Sequence, residues 1–191
     1  MQHYEKKAGW ATDRVMAPKA GQIELYPNLL ASQDEISSDN SKKSSKDGAM
    51  NSIEFKYGNE LKLDEVIELY TASTLGERRP IDDRRIMSDM IRYANLTVTA
   101  WDGELLVGIA RTLTDFAYVG YLSDLAVRQS HQKKGIGIQL IDKTRAKMGP
   151  RSMLVLLAAP NAVEYYPKIG FSRHESAWVL TATDPFPKAI S

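Results

Sequence analysis

Gln132-Lys133-Lys134-Gly135-Ile136-Gly137 gathers two lysines and two glycines between an apolar run, Tyr121 to Val127, and an amphipathic stretch that continues to Met148. A strand that turns into a helix at such a segment can bind an anion. The first backbone N–H groups of a helix have no intrahelical partners, and the helix dipole adds partial positive charge at the same point. Glycine lets the backbone come close to a ligand because no Cβ intervenes. Lys133, Lys134 and, upstream, Arg128 add charge. The segment reads as a cradle for a pyrophosphate, although a Gly-x-Gly at such a turn serves equally well as a tight connection. It fits neither the Gly-x-x-x-x-Gly-Lys-Ser/Thr pattern nor the three-glycine dinucleotide spacing.

Other chemistries are excluded or unsupported. The chain has no cysteine, so thiolate nucleophiles, disulfides and Cys-based zinc sites are absent. The three histidines, His3, His131 and His174, stand at no metal-ligand spacing, and no metal is expected. Lys+Arg 25 against Asp+Glu 24 gives no overall attraction to nucleic acid or an anionic membrane. No apolar run approaches the roughly 18 residues of a membrane span, and no signal peptide opens the chain, so a soluble cytoplasmic protein is expected.

The elements that must position the loop follow from pattern. Residues 1–49 are set apart: 1–30 lack a sustained period, and 31–52 are rich in Ser, Lys, Asp and Asn. Such a composition buries too little apolar surface to offset its chain entropy. It is read as a flexible extension, either natural or added ahead of a native start at Met50, with one domain over 50–191. Ser52 to Tyr57 alternates as a strand. Asp64 can cap a helix ending near Leu75-Gly76. Glu77 to Pro80 is a charged loop, and Asp82 or Asp83 caps a second helix with Ile86, Met87, Met90 and Ile91 on its buried side. Leu96–Trp101, Leu105–Leu113 and Ala117–Val127 form a meander, with Asp102-Gly103 as its first turn. The loop and its helix follow, stopped by Gly149-Pro150. Met153 to Leu157 reads as a buried strand reached by a parallel crossover. A short helix from Pro160 to Lys168 and two closing strands, Phe171–His174 and Ala177–Thr181, complete a mixed, mostly antiparallel α/β sheet with helices on its faces.

Three features in this order resemble the GCN5-related N-acetyltransferase (GNAT) family: the strand ending Asp124-Leu125-Ala126-Val127, the loop Gln132-x-x-Gly135-x-Gly137, and Asn161 followed by Tyr166-x-Lys168-x-Gly170-Phe171. The resemblance spans roughly residues 52–181. It implies the α+β GNAT fold, with a splayed parallel strand pair opening a cleft for acetyl-CoA as cosubstrate. Pantetheine would bond the backbone of Leu125, Ala126 and Val127. The diphosphate would lie on Gln132, Lys133, Lys134, Gly135, Ile136 and Gly137, with Lys133 or Arg128 meeting the adenosine phosphates and Asn161 as a further contact. Backbone N–H groups near Ala126 and Val127 would stabilise the oxyanion.

By the same resemblance Tyr166 is the general acid that protonates the leaving thiolate, since a phenol and a thiolate are of comparable basicity. Asp124 is a candidate base, with Asp115 and Glu104 behind it. Asp124 lies on the strand face opposite Leu125. Arg78 and Arg79 could fork onto a substrate carboxylate or stand as solvated loop charges. Ala110 to Asp115, ahead of the loop, is also similar to plant arylalkylamine-type acetyltransferases, a hint toward a small primary amine as acceptor. Homodimers are common in the family. A non-catalytic acetyl-CoA sensor on the same fold, or a transferase acting on protein termini or aminoacyl-tRNA, are the other readings. The basic residues of the loop and its helix are accounted for by cofactor phosphate and a polar helix face, so a nucleic-acid partner is not expected.

Overall fold

The computed structural model describes residues 52–185; the extension expected over 1–49 lies outside the described residues. Five strands form one sheet in the order β1-β2-β3-β4-β5. They are β1 (Glu54–Tyr57), β2 (Leu96–Asp102), β3 (Leu105–Thr114), β4 (Val119–Val127) and β5 (Met153–Val155). The first four pair antiparallel and β5 pairs parallel with β4. Three α-helices, α1 (Leu63–Ala72), α2 (Arg84–Arg92) and α3 (Ile136–Ala146), accompany them. Among the described residues no helix is long and apolar enough to cross a membrane.

The sheet separates two cores. Val66, Leu69 and Tyr70 of α1 and Met87 and Ile91 of α2 pack on Leu106, Ile109 and Ala126 on one face. Ile136, Leu140 and Ile141 of α3 pack on Val98, Ala100, Val107, Ala110 and Leu122 on the other. Strand side chains alternate between faces, so one extra residue reverses every later position. A bulge does this where Ala100 pairs with Gly108 and Trp101 with Leu106. It leaves Val107 as the extra residue and lets Leu106 and Ile109, three apart, share a face. Gly108 brings α3 onto the sheet: a Cβ there would stand 3.0 Å from Leu140 Cδ1 and 3.3 Å from the Ala126 carbonyl.

Three expectations are corrected. Asp64 is not the cap of α1, whose N-cap is Lys62; its carboxylate instead holds Arg84 at 2.6 Å. The stretch from Pro160 to Lys168 is two 3₁₀ turns, Pro160–Ala162 and Tyr166–Ile169, rather than one helix. Pro160 and Pro167 supply no N–H, and each turn begins with or just before one of them. The closing strands do not form: residues 171–181 are irregular, and Trp178 is 93% exposed. Asp83 does cap α2, accepting the Ile86 N–H at 3.0 Å.

Candidate active site

β4 and β5 part company early. Their pairing is Val119 with Met153, Gly120 with Leu154 and Tyr121 with Val155, and it stops there. From Leu122 to Val127, β4 remains bonded to β3 but, among the described residues, has no strand partner on its other side, so a cleft opens. A second bulge marks the opening. Arg111 faces Asp124 while Thr112 faces Leu122, which leaves Ser123 as the extra residue.

Antiparallel pairing alternates bonded and non-bonded residues, and this decides which backbone groups face the cleft. The Arg128 N–H donates to the Val107 carbonyl at 2.8 Å. Counting back along the regular register, Ala126 and Asp124 point their N–H and C=O at β3, and Leu125 and Val127 point theirs at the cleft. The Val127 carbonyl accordingly accepts the Gln132 side-chain amide at 2.9 Å. Ala126 therefore leaves the expected set of backbone contacts; its groups are used within the sheet, and its side chain is buried against α1 and α2.

Across the cleft mouth lies the glycine-rich turn. Gly135 is the N-cap of α3 at φ 79°, with no side-chain cap, and Lys133 is also left-handed at φ 61°. Among the described residues, the backbone N–H groups of Lys133 through Ile138 have no hydrogen-bond acceptor, and the first intrahelical bond is Gln139 N–H to the Gly135 carbonyl. Successive free N–H groups in alternating handedness form a concavity that suits an anion, and the α3 dipole reinforces it. A Cβ at Gly135 would meet nothing within 4 Å, so the approach is open. Lys133 and Lys134 are exposed and take part in no ion pair among the described residues. This donor set fits a diphosphate.

Two expected phosphate contacts are corrected. The Gln132 N–H is bonded to the Gln129 carbonyl, so Gln132 anchors the turn to the strand end rather than donating from its backbone. Arg128 reaches α1 on the other face of the sheet, pairing with Glu68 at 3.0 Å and donating to the Leu106 carbonyl. His131 ties the turn to the β2–β3 hairpin through Asp102 at 3.2 Å.

Tyr166 lies partly buried on the second 3₁₀ turn, edge-on to Phe171 at 5.5 Å and to Tyr165 at 5.4 Å. Burial, then Tyr165, raises its phenol above the ordinary value, and the Arg78 guanidinium opposes this. Tyr165 lies beside the glycine-rich turn: its hydroxyl stands 3.4 Å from where a Cβ of Gly137 would be, over the first turn of α3. Asn161 is exposed on the first 3₁₀ turn.

Asp124 is corrected as a base. It is 1% exposed and receives the Tyr70 hydroxyl at 2.8 Å, Arg79 Nε at 2.6 Å and Arg111 Nε. Both carboxylate oxygens are thus occupied by two guanidiniums and a phenol, and the side chain is closed off from solvent. Asp115 accepts three backbone N–H groups, of Ala117, Tyr118 and Val119, which lowers its pKa. Of the two arginines considered for a substrate, Arg79 is held inside this cluster and Arg78 remains exposed. Among the described residues no three His, Asp or Glu side chains gather as a metal site would require.

Comparisons with known proteins bear on the family and the fold. A family model described as an acetyltransferase (GNAT) domain matches residues 78–179. A probable acetyltransferase of meticillin-resistant Staphylococcus aureus is 20% identical with a TM-score of 0.56, over 68% of this chain and 98% of its own. A GNAT family acetyltransferase of Streptococcus pneumoniae is 23% identical with a TM-score of 0.54, over 68% and 98%. An aminoglycoside N-acetyltransferase solved in complex with CoA is 17% identical with a TM-score of 0.54, over 70% and 96%. At these identities the likeness is one of fold. No curated protein matches the sequence.

Proposed function

The chain belongs to the GNAT acetyltransferases, and from that premise we propose that it transfers acetyl from acetyl-CoA directly to the primary amine of a small molecule. The observation that carries this reading is the run of unpaired N–H groups from Lys133 to Ile138 beside a strand whose Leu125 and Val127 amides face an open cleft. The diphosphate of the cosubstrate takes the first, with Lys133 and Lys134 adding charge. The pantetheine arm takes the second, extending along β4 as a further strand would.

Acetyl-CoA supplies the activated thioester. The chain's own groups do the rest. A cleft-facing amide of β4 meets the oxygen on which negative charge develops when the amine attacks. The C–S bond then breaks and Tyr166 gives its proton to the departing sulfur, while the acylated nitrogen sheds its extra proton through water in the cleft, which returns the phenolate to its neutral form. Burial keeps that phenol protonated across the neutral range, as an acid requires. Asp124 and Asp115 are bound within the fold, so the acceptor ammonium loses its proton to water in the open cleft. Aminoglycoside N-acetyltransferases, which act on amines of small molecules, are among the proteins of similar fold, and this supports a small-molecule acceptor. A screen of amines, amino acids, aminoglycosides, peptides and aminoacyl-tRNA for release of free CoA tests the proposal; turnover confined to peptides or aminoacyl-tRNA would replace the acceptor class.

A further inference from the structure

The strand bulge at the cleft and the loop between α1 and α2 are joined by one side chain. Arg79 follows the 3₁₀ turn Leu75–Arg78. Its guanidinium makes three contacts: Nε to Asp124 Oδ1 at 2.6 Å, Nη2 to the Ser123 carbonyl at 2.8 Å, and Nη1 to its neighbour Arg78's carbonyl at 2.8 Å. Ser123 is the bulged residue, whose backbone an ordinary ladder leaves unpaired. Arg111 grips the same place from β3, donating Nη2 to the Ser123 hydroxyl at 2.7 Å and Nη1 to the Met90 carbonyl of α2 at 3.2 Å. Two guanidinium forks thus fix one bulge, and a planar fork is suited to this because its donors are held at fixed angles. The bulge lies one residue beyond Leu122, where pairing with β5 has already ceased, and two before Leu125, the first residue to offer its amide to the cleft.

We propose that Arg79 is a positioning residue for acetyl transfer: it latches the α1–α2 loop to the Ser123 bulge and so holds the cleft-facing backbone of β4 in place against the thioester. Arg111 and Tyr70 are the buried, permanent partners of Asp124; Arg79 is the part of the cluster that reaches solvent, with its side chain 24% exposed against 6% for Arg111. The loop it carries bears Arg78, the cation that acts on Tyr166. One contact set therefore aligns the strand and the loop together. The catalytic part of the proposal rests on the acetyl-transfer reading; the latch itself does not.

The test uses the full chain with Arg79→Gln and Arg79→Lys. Hydrogen exchange of the unliganded protein reads the latch: amides of residues 75–79 and the β3-bonded amides of Asp124 and Ala126 should exchange faster together in Arg79→Gln, and a change in only one of these segments, or in neither, overturns the latch. With the acceptor found by the screen, kcat should fall by about 100-fold, the scale of a misplacement of about 1 Å at a reacting centre. The Kd for acetyl-CoA should stay within about threefold, since its diphosphate donors lie elsewhere. Millimolar guanidinium should restore part of the turnover of Arg79→Gln, and ammonium should not. Arg79→Lys should behave as Arg79→Gln, because one ammonium cannot bond Asp124, Ser123 and Arg78 in a plane. Full turnover in Arg79→Lys, or equal losses in kcat and acetyl-CoA affinity, would overturn the positioning role. Failure of the wild-type chain to bind acetyl-CoA would defeat the acetyl-transfer reading and leave the exchange result to decide the latch.

Discussion

Asp124 and Arg111 face each other across β3 and β4 as a cross-strand pair, and their side chains form an ion pair in which the carboxylate is fully buried and the guanidinium 6% exposed. Removing one member of a buried pair leaves the other charge uncompensated, at a cost of about 3–5 kcal/mol. Asp124→Ala should therefore lower the urea midpoint of unfolding by a corresponding amount. A catalytic base would behave oppositely, with turnover lost and stability kept.

Tyr166→Phe should reduce kcat about 100-fold, the usual range for loss of a general acid, with acetyl-CoA affinity unchanged. Turnover equal to wild type would remove Tyr166 from the mechanism.

The same phenol sets a pH dependence. Its pKa is raised above 10.0, chiefly by burial, so the active, protonated form persists beyond the ordinary phenol range. A kcat profile should show no alkaline fall until above pH 10.0, and Tyr166→Phe should lose any such limb. The sign for stability is parallel. The folded state holds this proton more tightly than the unfolded chain, so the stabilisation is present below pH 10.0 and is lost as pH rises through the folded value. A fall in activity toward mildly alkaline pH would contradict the assignment.

Gly135→Asp puts a carboxylate where the diphosphate would lie. A Cβ has open space there, but φ 79° makes the substitution strained. A stability loss of about 1 kcal/mol is expected, with acetyl-CoA binding abolished. Retained affinity would place the phosphates elsewhere.

Asn59 closes the C-terminal end of α2. Its amide nitrogen lies 3.0 Å from the Arg92 and Ala94 carbonyls and 3.3 Å from that of Ile91, at the C-terminal end of α2. Asn59→Ala should cost about 1–3 kcal/mol in chemical unfolding, with acetyl-CoA affinity preserved.

Local chemistry made some of this readable from sequence. Asp102-Gly103 marked its hairpin, the pair Asp82-Asp83 the cap of α2, and Gly135 the entry to α3, because each depends on a few adjacent residues. Strand alternation placed Asp124 opposite Leu125, but its partners Tyr70, Arg79 and Arg111 come from three other elements, and only the folded chain brings them together. Both bulges were hidden for the same reason, since an extra residue is defined by the partner strand. Lys133 at positive φ went unseen because a lysine carries no signal for a left-handed turn. Phe171–His174 and Ala177–Thr181 were read as closing strands, yet a short run of residues cannot supply the neighbouring strand that pairing needs.

Isothermal titration of the purified chain with acetyl-CoA at two temperatures tests the central claim most directly. A single saturable site, competed by free CoA and lost in Gly135→Asp, is the predicted result. No binding heat at either temperature would contradict the assignment of the Lys133–Ile138 amides to the cosubstrate's diphosphate.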